Sequence, residues 1–188
     1  MNWKKVFVLL VICCIINTNM LSYSIADYHY TLSMERMLDD IVDFGAIGPE
    51  TFLGMIDGQM YDRTSRKVYY MSTDNYLDYV DFEEWYYVDS SGNSRYKWTA
   101  RAISFSNNDF PLSIDGVYIG MGYDVFVSDI INEIDFDCLK YFSSDNSRIE
   151  LLICDDNDDA IIAIDFSFSD NKLHNVLITV CFSNDFVF

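Results

Sequence analysis

Three apolar segments separated by two short polar turns lie near the C-terminus, and this pattern restricts the fold more than any other feature. The segments cover residues 148–154, 160–168 and 173–182. Their turns, 155–159 and 169–172, consist mainly of Asp, Asn and Ser, which bond their own backbone or accept left-handed angles. The pattern predicts an antiparallel meander. Apolar and polar residues alternate in 164–169, which predicts one buried face and one solvated face.

Helical periodicity precedes the strands in both halves of the chain. An amphipathic helix is predicted with one apolar stripe, formed by Met34, Met37, Leu38, Ile41 and Val42. Its outward face would carry Glu35, Arg36, Asp39, Asp40 and Asp43. Thr31 or Ser33 can cap this helix, and Gly45 suits a left-handed stop. A shorter helix is expected over 49–56, beginning at Pro49, and another over 123–134.

An aromatic β-hairpin is predicted in the first half, with arms 85–88 and 95–105 and a turn at 89–94. Further strands are expected at 67–71 and within 136–142, while 76–82 is ambiguous between helix and strand. The loop 107–111 divides an N-terminal α+β subdomain, 27–110, from a C-terminal helix and meander, 111–188. The two parts would share a sheet or pack together. The predicted fold is α+β, with helices packed on an antiparallel β-sheet.

Residues 1–26 have the pattern of a secretory signal peptide. Lys4 and Lys5 precede an apolar run over 6–16, and a small-residue site ends at Ala26. The run is too short for a membrane-spanning helix, which needs roughly 20 residues. Cleavage, retention as a weak anchor and lipidation at Cys14 stay open. In each case we expect a secreted or envelope-attached domain outside the cytoplasm.

The chain is strongly acidic, with 30 Asp and Glu against 12 Lys and Arg and a net charge of −18. Loss of the leader would change the charge to −20, because Lys4 and Lys5 are its charged residues. This balance excludes a nucleic-acid binder, which needs clustered basic residues. The 51% of hydrophobic residues excludes intrinsic disorder. A basic protein partner is expected, and the charge of −12 over 111–188 indicates where it would bind.

One turn concentrates carboxylates. Asp155, Asp156, Asp158 and Asp159 could supply oxygen ligands to calcium outside the cell. The EF-hand pattern fails, because Ala160 stands at the glycine position and Phe166 at the final Glu position. A solvated hairpin turn is the competing interpretation. We therefore expect no cofactor other than, at most, weakly bound calcium.

Three cysteines follow the leader, Cys138, Cys154 and Cys181, each in apolar surroundings. Free cysteines are often buried as small hydrophobic residues, which is one interpretation. A disulfide between Cys154 and Cys181 is the other, because both lie in predicted strands of one sheet. A zinc site is disfavoured, since the chain lacks a pair of cysteines at metal-ligand spacing.

Aromatic residues are concentrated between positions 69 and 98. Exposed aromatics would suit an interface, because they combine a large contact area with a polar group. The alternative is that they form the core of a β-rich subdomain. The candidate partner-binding residues are Trp85, Tyr86, Tyr87, Tyr96 and Trp98.

Two further segments, IDGVYIGM at 114–121 and IDFSFSDNKLHNV at 164–176, resemble one repeat of the β-lactamase-inhibitor-protein-like fold. Small outer-membrane lipoproteins of the barrel-assembly machinery share that fold. The family pairs a Gly-Met sequence before a helix with a closing hairpin. Gly122 stands where the family usually has Thr or Ser, and Asn171 stands where the family hairpin has Gly. The resemblance implies that Gly120 turns the chain tightly, that Met121 packs in the core, and that other proteins bind across the sheet face.

The functional expectation is a non-catalytic binding module for a protein partner. Neither a phosphate-binding glycine loop nor a nucleophile elbow is present in the sequence. The first alternative is a carbohydrate-binding or cell-surface accessory protein that uses the Tyr and Trp cluster. The second is an unusual hydrolase that uses scattered carboxylates.

Overall fold

The computed structural model describes residues 29–55, 60–62, 66–69, 78–88, 91–154 and 160–182. The predicted leader lies outside these residues. The helices are α1 (Met37–Gly45), α2 (Gly48–Met55) and α3 (Tyr123–Phe126), which continues as a π-helical segment, Val127–Ile131. The strands are β1 (Tyr30–Leu32), β2 (Met60–Asp62), β3 (Lys67–Tyr69), β4 (Tyr79–Val88), β5 (Ser94–Phe105), β6 (Leu112–Ile114), β7 (Leu139–Phe142), β8 (Arg148–Cys154), β9 (Ala160–Ser169) and β10 (Lys172–Phe182).

An eight-stranded sheet in the order β2-β3-β4-β5-β10-β9-β8-β7 forms the centre of the fold. Its neighbouring strands are all antiparallel. The fold is therefore α+β, as the sequence predicted, and it is mostly sheet. β5 pairs with β10, so the segments on either side of the 107–111 loop share one sheet.

The predicted meander is confirmed as β7 to β10. The bounds of β8 match the prediction, and those of β9 and β10 differ from it by one residue. Along β9 the even-numbered residues from Ala160 to Phe168 are buried, whereas Ile161 and Ser169 are exposed. The predicted division into a buried and a solvated face is confirmed.

The predicted aromatic hairpin is also confirmed, as β4 and β5. Asp81 pairs with Ala102 and Phe82 with Ala100, so Arg101 is an extra residue opposite this point of β4. Such a bulge changes which face successive side chains occupy. Ala100 and Ile103 are consequently both buried, although they are separated by an odd number of positions. This explains why simple alternation did not define the core face of β5.

A short parallel pair, β1 with β6, had no counterpart in the sequence prediction. Tyr30 pairs with Leu112 and Leu32 with Ile114. The Tyr30 amide donates to the Pro111 carbonyl over 2.9 Å. The first described strand is thereby joined to the middle of the chain.

Helix α1 begins three residues after the predicted apolar stripe begins. Met34 precedes it, and Asp40, expected to face outward, is buried. The Ser33 amide donates to Oδ2 of Asp40 over 2.7 Å, and the Arg36 guanidinium lies 3.5 Å from Oδ1. Burial of Asp40 is possible because its charge is bonded on both oxygens. The prediction that Ser33 or Thr31 caps α1 through its side chain is wrong.

Gly45 ends α1, but it does not make the left-handed stop that was predicted. Instead it is buried where α1 crosses β5. A Cβ atom at this position would lie 2.5 Å from the Cα of Thr99, and closer still to the backbone nitrogen of Ala100. Glycine is required here because two backbones approach closely. This approach seats Phe44 beside Phe52, with ring centroids 5.3 Å apart.

The turn before α3 has the two properties that the resemblance implied. Gly120 has a φ of +95°, which favours glycine, and Met121 is buried. The Asn132 amide donates to the Val127 carbonyl over 3.0 Å and closes the π-helical turn. The family resemblance itself stays a prediction.

Replacement of Gly45 tests the close approach of α1 to β5. We expect Gly45→Ala to lower the free energy of unfolding by about 3 kcal/mol, because the new methyl group meets backbone atoms that cannot rotate away. Gly54→Ala is the matched control in α2, since Gly54 is exposed and a Cβ there meets nothing within 4 Å. The control should be neutral or stabilising by up to about 1 kcal/mol. Urea unfolding measures both, and equal stability of Gly45→Ala and wild type would contradict the assignment.

Candidate functional site

Two adjoining cavities lie between the start of α1 and the segment that follows the π-helical turn. Their volumes are about 390 and 340 Å³, and they share Met34, Glu35 and Phe136. One wall is residues 33–39, and the other is residues 129–130 and 133–137. The ends of β8 and β9 close the larger cavity. We call the combined depression the acidic groove.

Carboxylates surround the acidic groove. Seven acidic side chains line it, and all seven are exposed: Glu35, Asp39, Asp115, Asp129, Glu133, Asp135 and Asp137. Among the described residues that line the groove, Arg36 is the one basic residue, and it forms an ion pair with Asp40. A cleft lined by one sign of charge concentrates the field and attracts ligands of the opposite sign.

The floor of the acidic groove is apolar. Six half-buried side chains form it: Met34, Leu38, Ile130, Ile134, Phe136 and Ile153. An apolar centre within a charged rim is the usual anatomy of a protein interface. The flexible, polarizable thioether of Met34 can adapt to the shape of a ligand. The groove is therefore suited to a ligand that combines basic and apolar groups.

The aromatic candidates are divided by the structure. Tyr86 and Tyr96 are 56% and 67% exposed, and their ring centroids lie 5.5 Å apart. Trp85 is half-buried against Phe182, with centroids 5.6 Å apart. The side chain of Tyr87 lies outside the described residues.

Trp98, the remaining aromatic candidate, is half-buried and packed on both sides. The Arg66 guanidinium lies 5.3 Å from the centre of its ring, and Gly48 adjoins the indole. Trp98 therefore helps to hold α2 on the sheet. Only Tyr86 and Tyr96 of the described candidates form an exposed pair.

Neither interpretation of Cys154 and Cys181 is correct. Both are free and exposed, so they are neither buried nor bonded to each other. Both pair in register with Ile161 of β9, which lies between them. Two strand spacings separate their Cα atoms by about 10 Å, whereas a disulfide requires less than about 7 Å. Cys138 is half-buried, and burial raises the pKa of its thiol.

The four candidate calcium ligands, Asp155, Asp156, Asp158 and Asp159, lie outside the described residues. Within the part of the chain that the structure describes, no three His, Cys, Asp or Glu side chains are arranged to hold a metal. Weak calcium binding at the 155–159 turn stays a prediction.

Asp78 is a buried carboxyl group away from the groove. Its Oδ1 accepts hydrogen bonds from the Ser106 amide and from the Ser106 hydroxyl, the latter at 2.9 Å. Its Oδ2 has no hydrogen-bond partner among the described residues. Burial raises the pKa of Asp78, and the two bonds from Ser106 act in the opposite direction. Asp78 thus ties the start of β4 to the end of β5, and this role is structural.

The acidic groove was not among the residues singled out from the sequence. Six of its seven carboxylates come from two segments about 100 positions apart, 35–39 and 129–137, and the seventh is Asp115. The charge excess after residue 111 was the signal that pointed to one of these walls. The other wall depends on the packing of α1.

Comparison with known proteins does not identify the chain. No protein-family model, curated protein or solved structure matches it. In the described ranges, every helix is too short or too polar to cross a membrane.

Titration of Asp78 should be visible in the pH dependence of stability. A carboxyl group whose pKa is higher in the folded than in the unfolded protein holds more protons when folded, over the interval between the two values. Wild type should therefore lose stability relative to Asp78→Asn as the pH rises above the ordinary value of 3.8, until the folded pKa is passed. Urea unfolding of both proteins at a series of pH values measures the difference. Parallel pH profiles would contradict a raised pKa.

Proposed function

We propose that the protein is a non-catalytic binding module that holds a basic protein partner in the acidic groove. One observation supports this most directly: seven exposed carboxylates surround an apolar floor, and Arg36, the single basic residue among the described residues that line the groove, is already paired with Asp40. The proposed partner presents Lys or Arg around an apolar contact. The charges would raise the association rate, and the apolar floor would slow dissociation.

The proposed place of action is outside the cytoplasm, either secreted or attached to the cell envelope. The leader pattern over residues 1–26 supports this proposal, whether the leader is cleaved, retained as an anchor or lipidated at Cys14. The resemblance to the β-lactamase-inhibitor-protein-like fold is consistent with extracytoplasmic protein binding. Membrane contact would arise through the leader.

Binding of a defined basic peptide tests the proposal. The probe is a synthetic peptide of alternating lysine and valine, with a glutamate and valine peptide as its negative control. We expect the purified protein to bind the lysine peptide at low salt, with affinity that falls as salt rises. The triple variant Glu133→Gln, Asp135→Asn, Asp137→Asn should bind at least about tenfold more weakly, because it removes three charges from one wall.

A matched triple variant controls for total charge. Glu50→Gln, Glu84→Gln and Asp109→Asn also remove three exposed carboxylates, but these positions are dispersed along the chain and none lines the groove. Its affinity should change less than about twofold. Equal loss in the two triple variants would show that net charge alone attracts the peptide and would overturn the proposed site.

A carbohydrate-binding function is the second candidate, and the exposed pair of Tyr86 and Tyr96 favours it. Two neighbouring rings with polar ends can contact a sugar through both apolar and hydroxyl groups. The Tyr86 hydroxyl lies 2.7 Å from the Ser94 hydroxyl, which fixes one ring. The pair lies on the β4 and β5 arms near their turn.

Retention on immobilised polysaccharide tests this second function. If the protein binds carbohydrate through Tyr86 and Tyr96, Tyr96→Ala should abolish retention, because one of the two rings is lost. Tyr118→Ala is the control, since Tyr118 is similarly exposed, at 52%, but is not in the pair. Retention that is unchanged in Tyr96→Ala, or absent in wild type, would exclude carbohydrate binding through these rings.

A further inference from the structure

Among the described strands, β7 lies at an open edge of the sheet. It stands last in the strand order, and β8 is its one neighbour among the described strands. An edge strand offers backbone amides and carbonyls to any extended chain that approaches it. The pairing of β7 with β8 determines which residues of β7 have free backbone amides and carbonyls.

Alternate residues of β7 direct their backbone groups away from β8. The Ser143 amide donates to the Arg148 carbonyl over 3.0 Å, which makes these two a hydrogen-bonded pair. In an antiparallel ladder, bonded and non-bonded pairs alternate. Leu139 and Tyr141 are therefore bonded to β8, whereas Lys140 and Phe142 point their amides and carbonyls outward. Within the described part of the chain, no backbone hydrogen bond is formed by the outward amide and carbonyl of Lys140 or of Phe142.

The side chains of β7 are unusually apolar for an exposed edge. Leu139, Tyr141 and Phe142 are 57%, 52% and 50% exposed. Lysine commonly protects an edge by projecting its charge into water. Here the Lys140 ammonium is held inward instead and donates to the Ile131 carbonyl over 2.8 Å. The edge therefore lacks the protection that its one basic residue would give.

The edge is continuous with the acidic groove. Asp137 belongs to the groove and precedes Leu139 by two positions, and Asp145 lies in the turn after the strand. Carboxylates thus stand at both ends of an apolar strand. A second copy of this protein would bring identical carboxylates together, and each copy carries a net charge of −18. Charge complementarity favours a strand with apolar residues between basic ends.

We infer that β7 receives an extended, basic and apolar segment of the partner, which adds to the sheet as a further antiparallel or parallel strand. This inference rests on the proposed function and specifies how the partner is held. Backbone hydrogen bonds to Lys140 and Phe142 supply affinity that depends little on partner sequence. The partner's alternate side chains contact Leu139 and Tyr141, and its basic ends meet Asp137 and Asp145.

The test compares the lysine and valine peptide with the same peptide N-methylated at every residue, so that neither edge of the methylated peptide keeps an amide donor. Methylation keeps the charge and side chains but removes the amide donors that a strand needs. The methylated peptide should bind at least about tenfold more weakly. Hydrogen exchange of the Lys140 and Phe142 amides should slow at least about tenfold when the unmodified peptide is added.

Two variants separate the backbone of Phe142 from its ring. Phe142→Pro removes the outward amide, which β8 does not use, and proline is tolerated on edge strands. Phe142→Ala removes the ring and keeps the amide. Phe142→Pro should bind the peptide at least about tenfold more weakly than Phe142→Ala. The peptide and exchange experiments use wild type, so they decide the question even if Phe142→Pro does not fold.

The outcomes distinguish the two proposals. Equal affinity for both peptides, with no added protection at β7, would overturn strand addition and leave groove binding intact. Absence of binding by either peptide at low salt would overturn the proposed function and, with it, this inference. The protein without peptide is also tested for self-association. If it self-associates and Phe142→Pro does not, the occupant of the β7 edge is a second copy, and strand addition by a basic partner is overturned.

Discussion

The pairing of β5 with β10 is the interaction on which the remaining structure depends. It joins strands β2 to β5 with strands β7 to β10, through residue pairs from Val176 and Phe105 to Thr179 and Ala102. Asn175 reinforces it by donating to the Phe105 carbonyl over 3.2 Å. β5 also receives α1 at Gly45. Each wall of the acidic groove is therefore anchored to a different side of this junction, and the groove exists only when both halves are paired.

The strands of the meander could be predicted because local chemistry defines them. Polar turns mark their ends, and the alternation in β9 continues without a bulge. β5 could not be assigned a face, because the extra residue Arg101 changes the alternation. The role of Gly45 depends on a backbone that lies more than fifty positions away. The parallel pair of β1 and β6 joins strands of three residues each, which is too short for a periodic signal.

The site was less predictable than the fold. Composition indicated a basic partner and the acidic C-terminal region, but a list of aromatic residues does not show which of them pack inside. Trp98 contacts Arg66 and Gly48, whereas Tyr96 is exposed two residues earlier in the same strand. The groove required packing of Glu35 and Asp39 near residues 129–137. Local sequence contains no information about how close these two segments lie in the fold.

The position of β1 determines how far the domain could stand from a membrane. Tyr30 is fixed to the body of the fold by its bond to Pro111. Thirteen residues, 17–29, separate it from the apolar run of the expected leader, and when extended they span at most about 45 Å. A retained leader would keep the acidic domain within that distance of the membrane. Attachment at Cys14 would allow a tether of about 50 Å, and cleavage would leave the domain free to diffuse, so processing of one short segment would decide which partners are within reach.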